Sequence, residues 1–128
     1  MAGSTWIDKL ISPRTSRILV AVLALLVIAL SLIPKNEQMP NTFSGFDKLG
    51  HFIAYAVLAF FAMRAVDRKG LFPFVVIVVA CTFLGGIIEI VQPFVGRKME
   101  LADFLVDLAG AMAGAILAAM LMRKLHRT

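Results

Sequence analysis

Residues 71–88 of the sequence, LFPFVVIVVACTFLGGII, contain no charged side chain. A bilayer core about 30 Å thick is crossed by a helix of roughly 20 mainly apolar residues. The apolar character continues beyond residue 88, interrupted by Glu89 and Gln92, until Pro93 bends or ends the helix. We therefore predict a membrane-spanning helix over residues 71–95.

Three further segments have the length and apolar character of membrane spans, namely residues 17–34, 46–66 and 101–122. The connections between the four segments are short, which favours antiparallel packing of consecutive helices. The sequence therefore predicts an all-α membrane protein with a single transmembrane domain over residues 1–128. Its expected fold is a four-transmembrane-helix antiparallel bundle.

The composition excludes several other classes of protein. About 60% of the residues are hydrophobic and only 16% are charged, whereas about 25% charged residues is usual in soluble domains. A soluble domain this small has too little interior to bury so much apolar surface. Because Cys81 is the only cysteine, a scaffold of internal disulfides is also excluded.

The N-terminal region predicts two features of the membrane topology. Trp6, Ile7, Leu10 and Ile11 recur at helical spacing, which is typical of a short interfacial helix. The segment 17–34 resembles a signal peptide, but no A-x-A-like cleavage site follows it, so we interpret it as an uncleaved span.

The distribution of Lys and Arg predicts the orientation. If both termini are cytoplasmic, nine cationic residues lie inside and four lie outside, the bias expected from the positive-inside rule. The inside set is Lys9, Arg14, Arg17, Arg64, Arg68, Lys69, Arg123, Lys124 and Arg127, and the outside set is Lys35, Lys48, Arg97 and Lys98. Because topology accounts for the net charge of +5, we expect the lipid bilayer, and no nucleic acid, as partner.

Small residues in the fourth segment predict close helix contacts. Gly110 and Gly114 form a G-x-x-x-G pattern, which lets two helix backbones approach each other. The pattern fits packing within the monomer and also fits a homodimer through Gly110 and Gly114.

Polar residues gather at one depth of the predicted bundle. An ionisable residue at the centre of a membrane helix costs about 2.5–3.5 kcal/mol on insertion scales, so its position is informative. In the predicted orientation the polar residues of three helices and one loop all lie in the outer half. The sequence therefore predicts one polar pocket open to the outer face and floored by apolar residues. Its members are Asp47, Lys48, His51, Tyr55, Glu89, Gln92, Arg97, Asp103 and Asp107.

The residue types in this pocket suggest two kinds of role. Carboxylates crowded beside an imidazole acquire different proton affinities, which acid–base chemistry uses, so Glu89, Asp103 and His51 are the candidate catalytic residues. Lysine and arginine suit an anionic group such as a phosphate. The candidate substrate-binding residues are Asp47, Lys48, Tyr55, Gln92, Arg97 and Asp107. Without an H-E-x-x-H motif or paired histidines, we expect no metal and no other cofactor.

The stretch DKLGHFIAY, residues 47–55, resembles the D-K-x-x-H-F-x-x-Y signature of the VanZ-like family. The later residues that match in order are Glu89-Ile90-Val91-Gln92, Arg97, Asp103, Asp107, Gly110 and Gly114. The match covers about residues 47–114, and the family pattern often has Asn where this chain has Asp107. The resemblance implies a multi-pass protein of the bacterial cytoplasmic (inner) membrane. The family is named after a protein linked to resistance to the glycopeptide teicoplanin.

Three functional hypotheses follow. The first is a protein that binds or modifies a cell-envelope lipid or a lipid-linked cell-wall intermediate, with a possible link to antibiotic resistance. The second is a membrane scaffold whose polar residues only hold the bundle together. The third is a small proton-coupled transporter, which is less favoured because the polar residues do not continue through the inner half of the helices.

Overall fold

The computed structural model describes residues 5–34 and 44–125, and it contains helices and no strand within these ranges. Four of the helices are long and apolar enough to cross a membrane, judged by length and composition. The predicted all-α, multi-pass membrane protein is thereby confirmed. Two of the cationic residues used to predict the orientation, Lys35 and Arg127, lie outside the described residues. The helices are α1 (Trp6–Leu10), α2 (Pro13–Ser31), α3 (Ser44–Val66), α4 (Leu71–Val91), which continues as a 3-10 turn (Gln92–Val95), and α5 (Leu101–Leu125).

The first long helix, α2, begins four residues before the predicted start at residue 17. Ser12 caps it, because the Ser12 hydroxyl accepts the backbone N–H of Thr15 at 3.3 Å. Pro13 occupies the first helical position, where its missing N–H is not needed. The helix therefore includes the basic residues Arg14 and Arg17 in its first turns.

The short helix α1 is held by a capping box between Thr5 and Asp8. The backbone N–H of Thr5 donates to Oδ2 of Asp8 at 2.8 Å, and the Thr5 hydroxyl donates to the same oxygen at 2.9 Å. These two bonds stabilise the carboxylate and lower the pKa of Asp8 below its usual value. The helix leaves Trp6 exposed, with 74% of its surface accessible.

Two glycines of α5 set the contact between α3 and α5. A side chain at Gly110 would overlap the backbone carbonyl of Phe52, and one at Gly114 would overlap that of Ala56. Because the two pairs follow the same order along both helices, α3 and α5 run in the same direction. Both glycines therefore serve packing within the chain. Three alanines of α5 are completely buried in the core of the bundle: Ala111, Ala115 and Ala118.

Two arginines join the end of α3 to the start of α2 and to the residues just before it. Nε of Arg17 donates to the carbonyl of Ala65 at 3.2 Å, and Nε of the buried Arg64 donates to the carbonyl of Ile11 at 2.9 Å. A cavity of about 310 Å³ lies at this end of the bundle, between α3, α4 and α5. Apolar side chains line it together with the cations Arg68, Lys69 and Arg123.

Candidate functional site

Polar side chains of three helices meet at the end of the bundle where α3 and α5 begin and α4 ends. Each of them is linked to at least one other by an ion pair, a ring contact or a short distance between possible ligand atoms. We call these residues the polar cluster: Asp47, Lys48, His51, Tyr55, Glu89, Asp103 and Asp107. Seven of the nine residues predicted for the pocket thus lie together.

His51 and Asp107 form the buried centre of the cluster. Nδ1 of His51 lies 2.9 Å from Oδ1 of Asp107, whose side chain is only 1% exposed. Gly85 of α4 makes room for this carboxylate, since a Cβ at position 85 would lie 2.7 Å from Oδ2 of Asp107. The ring of Tyr55 stacks on that of His51 with 6.5 Å between centroids. The pair is therefore fixed by all three helices.

Lys48 lies at the outer rim of the cluster. Its Nζ is 3.4 Å from Oδ1 of the buried Asp103 and 3.2 Å from Oε2 of Glu100, with 35% of the lysine side chain exposed. Glu100 was missed by the sequence analysis, because it lies in the loop before α5. Its position three residues before Asp103 places both carboxylates beside one lysine. Lys48 can therefore contact the buried carboxylate of Asp103 and also reach a group outside the cluster.

Glu89 enters the cluster from α4 and is only 4% exposed. Its Oε2 accepts the backbone N–H of Glu100 at 3.0 Å, whereas its Oε1 has no hydrogen-bond partner among the described residues. The buried hydroxyl of Tyr55 likewise has no partner there. A buried polar atom without a partner costs about 1–3 kcal/mol. The cluster therefore holds a buried acceptor and a buried hydroxyl with unused bonding capacity.

Gln92 and Arg97, the other two predicted site residues, lie at the end of α2. Nε2 of Gln92 donates to the carbonyl of Ser31 at 3.2 Å. Nη1 of Arg97 donates to the carbonyls of Leu30 and Ile33 at 3.2 and 3.3 Å. The last carbonyls of a helix have no partner within the helix. These two residues therefore fasten α2 to the end of the bundle that holds the cluster.

The backbone turn that carries Arg97 requires a glycine. Gly96 adopts φ 77°, a left-handed conformation that other residues rarely take. It ends the 3-10 turn Gln92–Val95, and the backbone N–H of Arg97 then donates to the carbonyl of Gln92 at 3.0 Å. This local geometry turns the chain from α4 towards α5 and places Arg97 beside α2.

The cluster is rich in carboxylates, which makes it suitable for holding a cation or moving a proton. Within the described residues, two sets of three side chains each bring possible ligand atoms within 4.8 Å of one another. The first is Asp47, His51 and Asp103, and the second is His51, Glu89 and Asp107. No metal was expected from the sequence, because motif spacing along the chain does not show ligand sets that combine residues from two or three helices.

An apolar groove between α4 and α5 begins beside the cluster. It has a volume of about 380 Å³ and an almost entirely apolar lining. Gly86 and Phe104 line the groove, and they are the direct neighbours in sequence of Gly85 and Asp103. The groove therefore starts at the same level of the bundle as the buried carboxylates, on an adjacent face of α4 and α5, and runs past Val79 and Phe83.

Comparison with known proteins gives a family. No curated protein and no solved structure shows a significant match to the chain. A family model described as VanZ/LLP1 matches residues 7–123 of the 128 residues. The match includes α2, α3 and α4, the polar cluster and all but the end of α5, and it agrees with the resemblance carried by residues 47–55. The chain therefore belongs to the VanZ/LLP1 family.

Proposed function

We propose that this protein binds the polar head of a cell-envelope lipid or lipid-linked cell-wall intermediate at the outer face of the bacterial cytoplasmic membrane. The observation that carries the proposal is the meeting of polar side chains from α3, α4 and α5 at one end of an apolar bundle. Glu89, Asp103 and Asp107 are buried there, each at most 5% exposed. Because such residues are costly within a membrane, their collection in one place favours a ligand site.

The proposed orientation places the cluster in the outer leaflet. Hydrogen bonds join the start of α2 to the end of α3, and the end of α2 to the segment after α4. These contacts support an antiparallel arrangement of consecutive helices. Both termini then lie in the cytoplasm with most of the Lys and Arg residues, as the positive-inside rule favours. The exposed Trp6 and Ile7 of α1 would lie at the inner membrane interface.

Lys48 and Arg97 supply the positive charge for the head group in this proposal. Lys48 is partly exposed at the rim of the cluster. Both bonds from Arg97 to α2 use Nη1, and a guanidinium group carries five N–H donors. Arg97 can therefore hold α2 and still donate to a phosphate. Gln92, whose buried Oε1 has no partner among the described residues, can accept a hydroxyl of the ligand.

The groove between α4 and α5 suits the apolar tail of the same molecule. Its lining is apolar and includes Gly86 and Phe104, the neighbours in sequence of Gly85 and Asp103. A lipid bound in this way would place its head at the polar cluster while its chain lies against Val79, Phe83 and Phe104. Head and tail then occupy two adjacent surfaces of opposite character, which is the usual design of an amphiphile site.

His51 is the residue best placed to move a proton within the site. It belongs to both sets of possible ligands, with Asp47 and Asp103 in one set and Glu89 and Asp107 in the other. We propose that His51, Glu89 and Asp103 bind the head group and, where the ligand is modified, act as proton donors and acceptors. An imidazole between carboxylates suits this role near neutral pH.

A structural scaffold is the second candidate, and the ion pairs favour it. Lys48 with Asp103, and His51 with Asp107, both join α3 to α5. If these pairs only hold the helices together, substitutions should lower stability and function in proportion. Breaking a buried pair by removing one partner costs about 3–5 kcal/mol.

Native mass spectrometry of gently extracted protein tests the head-group proposal. The wild type should retain a phosphorylated or glycosylated lipid, and the folded variants Glu89→Gln and Asp103→Asn should lose it. Asp67→Asn is the matched control, because it removes a carboxylate at the end of α3 far from the cluster. Equal lipid retention by all four proteins, or no selective lipid in the wild type, would refute the proposal.

A further inference from the structure

We propose that His51, Glu89 and Asp107 form a binding site for a divalent first-row transition metal ion, of the class of Mn²⁺ or Zn²⁺. One possible ligand atom from each residue lies within 4.8 Å of the other two. The three residues come from α3, α4 and α5, so the ion would join all three helices at the centre of the polar cluster.

The distances suit coordination after small side-chain movements. Zinc binds imidazole nitrogen at about 2.0–2.1 Å and carboxylate oxygen at about 2.0–2.2 Å. Two ligand atoms on one ion are then separated by at most about 4.4 Å. Ligand atoms already within 4.8 Å of one another need only small shifts to reach this spacing.

Two buried polar atoms point independently to a missing partner. Glu89 is only 4% exposed, and its Oε1 accepts no hydrogen bond from the described residues. The hydroxyl of Tyr55, in a residue only 1% exposed, is also without a partner there. A metal ion would coordinate the Glu89 carboxylate, and a water molecule on the ion would satisfy the tyrosine hydroxyl. One hydrated ion therefore accounts for both atoms.

The donor set identifies the class of ion. Magnesium and calcium prefer sites made only of oxygen, whereas imidazole suits first-row transition metals. One imidazole with two carboxylates is a mixed set that fits Mn²⁺ or Zn²⁺. The second set, Asp47, His51 and Asp103, shares the same imidazole, but its Asp47 is only partly buried. The set with two buried carboxylates is better shielded from bulk water, so we assign the ion to it.

A bound cation also resolves an electrostatic difficulty of the cluster. Carboxylates outnumber the cationic side chains around it, and an anionic head group would be repelled by them. A divalent ion supplies two positive charges where the carboxylates converge. The metal site is inferred from the geometry of three residues, and this inference does not depend on whether the protein binds a lipid. Either proposal can fail without the other.

The test is binding of Mn²⁺ to purified protein that has first been treated with chelator. We expect one Mn²⁺ per chain, measured by the loss of the free-ion electron paramagnetic resonance signal. The bound ion should show magnetic coupling to the nitrogen of one imidazole. This coupling should disappear in His51→Gln. Affinity should fall at least about tenfold in Glu89→Gln and Asp107→Asn, and competition with Zn²⁺ should show which ion binds more tightly.

Asp67→Asn is the matched control for these measurements, because Asp67 lies at the opposite end of α3. This variant should bind Mn²⁺ like the wild type. The proposal is overturned if the wild type binds well below one ion per chain, or if its bound Mn²⁺ shows no nitrogen coupling. It is also overturned if folded Glu89→Gln and Asp107→Asn keep the wild-type affinity. The wild-type spectrum decides the question even if a variant fails to fold.

Discussion

Nδ1 of His51 and Oδ1 of Asp107 lie 2.9 Å apart, and this contact joins α3 to α5 at the centre of the polar cluster. The carboxylate of Asp107 fits there because α4 has a glycine opposite it, Gly85. The site therefore requires a glycine at position 85 as well as the polar side chains of the cluster.

Gly85→Ala should disturb the site more than the fold. The added Cβ would lie 2.7 Å from Oδ2 of Asp107, and the end of a flexible side chain can move aside. We expect a loss of stability below the about 1–3 kcal/mol typical of overpacking, together with at least about tenfold weaker Mn²⁺ binding. Gly86→Ala is the control, because its Cβ meets the ring of Phe104 at 3.3 Å. Equal Mn²⁺ affinities of the two variants would contradict this account of Gly85.

Gly114→Ala should destabilise the bundle severely. The new Cβ would overlap the backbone carbonyl of Ala56, and a backbone cannot move aside as a side chain can. We expect a loss of at least about 3 kcal/mol, the upper end of overpacking costs, measured by equilibrium unfolding in mixed micelles. Gly50→Ala on α3 is the control, since nothing lies within 4 Å of its added Cβ. That variant should be as stable as the wild type or more stable. Similar stabilities of both variants would disprove the close α3–α5 contact.

Val79→Trp should reduce lipid retention without affecting the polar cluster. Val79 lines the groove between α4 and α5, and an indole ring there would occupy the place proposed for the lipid tail. We expect several-fold less lipid in native mass spectra. Val76→Trp makes the same exchange on α4 at a residue that is also exposed and does not line this groove. If both variants retain lipid equally, the tail does not lie in the groove.

Much of the fold follows from hydrophobic length alone. Residues 71–88 and the other apolar segments could be recognised because a membrane helix needs a long uninterrupted apolar stretch. The start of α2 was placed too late, since the prediction began at the last basic residue. The Ser12 cap and Pro13 extend the helix through polar residues that the hydrophobic pattern does not include.

The site could be predicted in part. Helical spacing correctly brought together the cluster residues of α3, α4 and α5, because each helix presents its few polar residues on one face. It did not predict that Arg97 and Gln92 bind the carbonyls at the end of α2. That contact depends on the turn at Gly96 and on which helix lies beside it, and neither is visible in periodicity. The pairing of Glu100 with Lys48 was missed for the same reason.

The central claim is that the polar cluster serves a ligand and is not a structural lock, and the stability of Glu89→Gln tests it most directly. The free energy of unfolding should be measured on delipidated, chelator-treated wild type and variant. The glutamine oxygen can still accept the Glu100 backbone N–H, and a crowded carboxylate is removed, so we predict a change of less than about 0.5 kcal/mol or a gain in stability. A loss of about 1.5–3 kcal/mol, as expected when a structural hydrogen bond to a charged acceptor is weakened, would contradict the claim.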